Sequence, residues 1–293
     1  TFLQVLENSC NPGFMTIGLR LGKEKLFEYI RKFGYGSKTG IDLLGESKGI
    51  LFDTNKIGNV ELATASFGQG NSTTPLQILN AASAAVNGGN LHKPYILHAI
   101  GKQNNFIIEN KPSLIRRVIS EETSKIVANA LESVVAKGTG RACYIDGYRI
   151  GGKTGTAQIA ENGHYLSNKF ILSFLAIAPM DDPKIGVYLA IQNPHNAIQY
   201  GGTTVGPLIK EIMSESLSFL NVKKNYEGIS YQPRLWVDKP LYKIPEYIGM
   251  NKKDVKYNPY YNFIIEGTGD IIIGQMPEAG ESIIEGGTVI LYT

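Results

Sequence analysis

Apolar residues near the N-terminus recur at three- and four-residue steps: Phe14, Ile17 and Leu21, then Leu26, Ile30 and Phe33. This spacing predicts helix over much of residues 1–34, with Pro12 at a position where the first turn of a new helix tolerates a missing donor. Residues 35–72 are rich in Gly, Ser, Asp and Asn and predict a looping excursion with short strands. Thr74, Pro75 and Gln77 then make a capping-box helix start, and the pattern runs through Ile78, Ala82 and Ala85 to a stop at Gly88-Gly89. A further helix opens at Ser120-Glu121-Glu122, where carboxylates favour the positive end of the helix dipole, and ends at Gly138. From Arg149 the period changes. Residues 149–159, 169–178 and 184–192 predict strands, joined by the turns Glu161-Asn162-Gly163 and Asp181-Asp182-Pro183. Links this short favour antiparallel neighbours. Thr204-Val205-Gly206-Pro207 opens a last helix ending near Leu220. Strands grouped between helical blocks, without β-α alternation, predict an α+β fold.

The pattern also divides the chain. Residues 1–222 form one block, 223–242 are polar and proline-punctuated like a linker, and 243–293 repeat a small scheme of their own. That last scheme predicts a helix-like stretch, strands around 263–266 and 271–275, a Pro-Glu-Ala-Gly turn and a final strand at 288–292. With 293 residues, 43% of them hydrophobic and 19% charged, the chain can bury a core, so disorder is excluded. The net charge of +3 is too mild to argue for nucleic acid. It is unevenly spread: residues 241–293 hold four lysines against seven carboxylates, a net of −3, leaving +6 on the rest. No apolar run is long enough to span a bilayer, and the opening residues read as the middle of a helix rather than a leader.

Candidate chemistry concentrates in Gly147-Tyr148-Arg149-Ile150-Gly151-Gly152-Lys153-Thr154-Gly155-Thr156. Residues 147–154 satisfy the phosphate-loop pattern G-x-x-x-x-G-K-[ST], which requires a strand, a loop and then a helix. Here Tyr148, Arg149 and Ile150 suit a strand, Gly155 follows the threonine, and a turn cuts off any helix. The other possibility is Lys-Thr-Gly-Thr along a strand, with Lys153 on one face and Thr154 and Thr156 on the other. Glycines beside hydroxyls and an ammonium lower the steric wall, so the strand suits an extended peptide ending in a carboxylate. A second copy, Lys38-Thr39-Gly40, sits in the loop-rich excursion and reads as structural. The four histidines form no metal-binding spacing.

Ser9-Cys10-Asn11 alone would suit a helix cap. Together with Lys153-Thr154-Gly155-Thr156, and with Gly68-Gln69-Gly70, Thr74-Pro75-Leu76-Gln77, Gly138-Thr139-Gly140 and Gly147-Tyr148 in order, it resembles the transpeptidase domain of class B penicillin-binding proteins. Residues 243–293, with Ile244-Pro245, Gln275-x-Pro277, Gly280 and Gly286-Gly287-Thr288-Val289, resemble one PASTA domain. The appended unit and the Ser-Cys-Asn element are most similar to a sporulation-specific member of that family, with elongation or division members as the alternative.

The resemblance implies an antiparallel sheet packed between helices and a small α/β PASTA unit. It also implies a D,D-transpeptidase that crosslinks peptidoglycan stem peptides through a serine acyl-enzyme and is acylated by β-lactams. Ser9 would relay protons, Asn11 hold the substrate amide and Lys153 supply positive potential. Thr154 and Thr156 would bind the substrate carboxylate, the N–H of Thr156 would serve the oxyanion, and Gly155 would give steric room. The family's S-x-x-K element is absent: no serine has lysine three positions on, and Ser133 misses by one. The expectation is a nucleophile upstream of Thr1, an inactive isolated fragment, and a membrane anchor holding the protein on the extracytoplasmic face. A membrane glycan polymerase is the expected partner, and a non-catalytic scaffold recruiting that polymerase is the alternative from another class. Cys10 and Cys143 leave three roles open: two small buried hydrophobes, a disulfide, or a shared zinc needing further ligands, with His164 a local candidate. His164 and Tyr165 are also candidates to line the cleft.

Overall fold

A computed structural model describes residues 1–102, 105–161, 164–195, 197–232, 241–284 and 286–293. Part of the expected linker (233–240) and Asn162-Gly163 of the expected turn lie outside the described residues. The chain divides into two compact units, Thr1–Pro233 and Arg234–Thr293.

In the first unit, α1 (Phe2–Glu7), α2 (Asn11–Leu21) and α3 (Lys23–Lys32) occupy the N-terminal stretch, followed by α4 (Asn59–Ser66) and α5 (Pro75–Val86). Strands β1 (Asn90–Lys93), β2 (Ala99–Lys102), β3 (Asn105–Glu109) and β4 (Ser113–Arg117) form two small antiparallel pairs, β1 with β4 and β2 with β3. Then come α6 (Glu121–Lys137), the strands β5 (Gly151–Glu161), β6 (His164–Ala178) and β7 (Ile185–Gln192), and finally α7 (Gly201–Thr204) and α8 (Gly206–Phe219). The fold is α+β, with β5, β6 and β7 in one antiparallel sheet in that order.

Period-two alternation along β6 explains why helices cover both faces of this sheet. Leu172, Phe174, Ala176 and Ala178 share a core with Ile209, Met213 and Leu217 of α8. Ile177, one register off, packs with Val86 of α5 and Ala128 of α6. Helix α5 starts as its sequence predicts. Thr74 Oγ1 accepts from Gln77 N at 3.1 Å, and Gln77 Oε1 accepts from Thr74 N at 3.0 Å. The same Gln77 amide donates to the carbonyls of Ser37 and Lys48, tying the excursion loop to the helix.

Within that excursion the structure adds α4, which the loop-like composition concealed. Its N-cap is Gly58, without a side chain, and the cap is made by Glu61 Oε2 accepting from Gly58 N at 2.8 Å. The second Lys-Thr-Gly is a loop held by Glu46, whose carboxylate accepts from Thr39 N, Thr39 Oγ1 and Gly40 N.

The second unit contains β8 (Leu241–Lys243), β9 (Asn262–Glu266), β10 (Gly274–Met276), β11 (Ser282–Ile284) and β12 (Thr288–Tyr292). β12 lies between β10 and a parallel β9. Ile244, Tyr261, Ile272, Val289 and Leu291 form its core. The helix-like stretch expected here is only a single 3-10 turn, Lys252–Asp254. Asn258-Pro259 follows closely, and a proline biases the residue before it away from helix. Among the described residues this unit is built from strands and turns rather than from strands and an α-helix.

Candidate active site

Ser9 owes its place to the way α1 ends. The N–H of Ser9 donates to Leu6 O at 3.2 Å and the N–H of Cys10 to Val5 O at 2.9 Å, the paired bonds of a Schellman motif. That motif needs a left-handed residue after the cap, and Ser9 takes it with φ 52°. Glycine usually holds this position because a Cβ there costs about 1–2 kcal/mol. The chain spends backbone strain to carry a hydroxyl at this point. Ser9 therefore follows a helix end instead of capping a helix start. The residue preceding α2 is Cys10, which makes no side-chain cap bond, and Asn11 is exposed at the first position of α2.

Lys153 arrives from the sheet. It pairs with Leu175 and Thr154 with Phe174, so Lys153 faces the α5–α6 side while Thr154 and Thr156 face the α7–α8 side. Strand β5 is at the edge of the sheet. Gly152 has to be glycine, since a Cβ there would press against Leu175 O and the Phe174 ring. Lys153 Nζ donates to Ser9 Oγ at 2.7 Å and to Thr154 O at 3.1 Å. Among the described residues no carboxylate is within ion-pair distance of it. Burial without a counter-charge pulls its pKa down to about 8.

On the opposite face Thr154, 9% exposed, shares a 3.0 Å hydroxyl contact with Thr139. Gly201 N donates to Thr156 Oγ1 at 3.3 Å. A Cβ on Gly201 would collide with Gly155 O, so α7 rests directly on the motif strand. Sequence reasoning passed over Gly201-Gly202, although paired glycines ahead of a threonine pair were a usable signal for close backbone packing. The contacts of Glu7 with Ser133 and of the Thr139 hydroxyl with Thr154 join residues far apart in sequence and have no local signal.

Strand β5 continues directly after Lys153-Thr154, so the phosphate-loop pattern lacks the helix it requires. The expectation of zinc at Cys10 and Cys143 is overturned. Among the described residues no group of His, Cys, Asp or Glu is disposed to hold a metal. Both cysteines are free, Cys10 exposed and Cys143 buried. Cys143 lies in the α8-side core with Val135, Phe174 and Val205, and burial pushes its thiol up to about 12, away from the thiolate a metal needs. His164 is exposed opposite Glu161 at the far end of the β5–β6 pair, and Glu161 is eight residues beyond Lys153 along β5. At about 3.3 Å per residue that is roughly 25 Å, too far to line a cleft centred on Lys153, and Tyr165 beside it is 50% exposed.

Residues 1–214 match the penicillin binding protein transpeptidase domain. The chain is 48% identical over 299 residues to Stage V sporulation protein D of Bacillus subtilis (strain 168), spanning 100% of this chain and 46% of that protein. It is 36% identical over 240 residues to the peptidoglycan D,D-transpeptidase FtsI homolog of Mesostigma viride, 75% of this chain and 39% of that one. The crystal structure of penicillin binding protein 3 from Mycobacterium tuberculosis, complexed with ampicillin, superimposes with a TM-score of 0.70 at 30% identity, over 79% of this chain and 52% of that chain. The chain thus spans about half or less of the length of these relatives. Because the matched stretch includes both the sheet and the two elements that meet at Ser9 and Lys153, the chain belongs to the family of class B penicillin-binding protein transpeptidase domains.

Proposed function

We propose that the intact protein is a serine-type peptidoglycan D,D-transpeptidase, and that residues 1–222 supply two of its three catalytic elements, the third being the S-x-x-K element with the nucleophilic serine and its activating lysine. The observation that carries this is the 2.7 Å contact between a desolvated Lys153 amine and the Ser9 hydroxyl, at the edge of a sheet. Acyl transfer needs a nucleophile, a proton relay and a site for the oxyanion. With Nζ donating to Ser9 Oγ, the Ser9 proton is directed elsewhere, available to a leaving amine. A lysine with a pKa of about 8 exchanges that proton near neutral pH. The substrate peptide adds to the open edge of β5, Asn11 holds its amide, and Thr154 and Thr156 meet its terminal carboxylate across Gly155. The N–H of Thr156 serves the oxyanion.

In this reading the nucleophile belongs to a part of the protein outside these 293 residues, so the chain alone is inactive. The relatives carry names of peptidoglycan transpeptidases, and the ampicillin complex supports β-lactams as acylating substrate analogues. The same reading makes residues 243–293 a PASTA domain used for docking or spacing, and has the protein anchored on the extracytoplasmic membrane face beside a glycan polymerase. No helix among the described residues is long and apolar enough to cross a membrane. The test is labelling of full-length protein by a fluorescent penicillin. Ser9→Ala and Lys153→Ala should each cut acylation severely, and normal labelling of both would overturn the assignment. A penicilloyl adduct on residues 1–293 alone would overturn the location of the nucleophile.

A further inference from the structure

The Schellman ending of α1 sets the direction of Ser9 relative to the helix axis, so its distance to Lys153 depends on how α1 is held. The helix has six residues, and none of them is buried. Glu7, two residues before Ser9, makes two tertiary bonds. Its backbone carbonyl accepts from Thr139 N at 2.9 Å. Its carboxylate accepts from the hydroxyl of Ser133, a residue on α6 only 2% exposed. Gly138 makes the first bond possible, because a Cβ there would collide with the Glu7 carbonyl. A carboxylate in the last turn of a helix sits at the negative end of its dipole, so α1 itself gives no reason for Glu at this position. The bond to Ser133 does. Thr139 in turn touches Thr154, so one turn is joined to both the helix that carries Ser9 and the strand that carries Lys153.

We propose that Glu7, clamped by Ser133 and by the turn Gly138-Thr139-Gly140, is a positioning residue that sets the contact between Ser9 and Lys153. Among the described residues no hydrogen bond or ion pair joins Glu7 to Lys153 or to β5; it acts through the tilt of α1. The proposal rests on the catalytic roles proposed for Ser9 and Lys153.

The experiment measures acylation rates of full-length protein by a fluorescent penicillin between pH 6 and 10. Glu7→Ala should slow acylation roughly 10- to 100-fold, the scale of an ångström-sized misplacement. It should also move the Lys153 limb of the pH profile upward, because an amine that loses Ser9 is more hydrated. Glu7→Gln keeps an oxygen for Ser133 and should retain near-normal rate and profile. Ser133→Ala should act in the same direction as Glu7→Ala, and the double variant should be no slower than Glu7→Ala alone. Wild-type rate and profile in Glu7→Ala, while Ser9→Ala and Lys153→Ala are dead, would refute the clamp and leave the function standing. Normal acylation of Ser9→Ala and Lys153→Ala would instead refute the function. Should Glu7→Ala fail to fold, Ser133→Ala decides, since a merely structural loss would leave its pH profile unmoved.

Discussion

Two half-buried cations stand four residues apart at the start of the motif strand, and the protein treats them oppositely. Arg149 is met by Glu132, with Nε donating to both carboxylate oxygens and Nη2 donating at 2.7 Å. Glu132 is 2% exposed and accepts a further 2.9 Å bond from Ile229 N, which pins residues 225–232 across α6. The bonds from Glu132 raise the pKa of Arg149, so its charge is locked in. Lys153 has a hydroxyl and a carbonyl but no carboxylate, and its pKa falls to about 8. Arg149 is a fixed structural charge. Lys153 is an amine held near its titration point, which is what proton transfer needs and what stability disfavours.

This contrast breaks or stands on measurable stabilities. The largest effect should come from Glu132→Ala. Removing one partner of a buried pair strands the other charge, and denaturant unfolding should show a loss of about 3–5 kcal/mol. A loss below about 1 kcal/mol would make the pair no more than a surface bridge.

Lys153→Met should go the other way, stabilising the protein by about 1–3 kcal/mol at pH 7 by removing an uncompensated buried amine. The sign follows from proton counts. Between about 8 and the ordinary lysine value of 10.5, the unfolded chain holds a proton that the folded chain has released. Wild-type stability therefore rises with pH across that window. The advantage of Lys153→Met should be full below pH 8 and fade by pH 10.5. An advantage independent of pH would mean that burial is not what depresses the amine.

Ser9→Gly should change stability least, by about 1 kcal/mol or less and in the stabilising direction, because glycine relieves the left-handed backbone. Penicillin acylation should nevertheless collapse with it. The two cysteines give a comparison with no stability effect at all. A thiol reagent should modify exposed Cys10 promptly in the native protein and reach Cys143 only on unfolding.

Local signals were enough for a large part of the molecule. The capping box at Thr74 and Gln77, the alternation along β5 and β6, and the glycines around Lys153 each act between residues a few positions apart, and the structure follows them. The two Lys-Thr-Gly copies were separable for the same reason, since one lies in a strand pattern and the other among turn residues. Helix α4 escaped because its cap is a backbone N–H met by Glu61, with no side chain at Gly58 to announce it. The end of α1 escaped because serine is a poor signal for a left-handed position. Tertiary structure alone decided the site: Ser9 and Lys153 are 144 residues apart in sequence, and Glu7 and Ser133 are 126 apart. No local propensity encodes such contacts. They exist because the sheet buries one face on α8 and the other on α5 and α6, leaving Lys153 on the α6 side, where α1 is held. The same burial settled the cysteines, since Cys143 belongs to the opposite core, where an apolar shell leaves its thiol no reason to ionise.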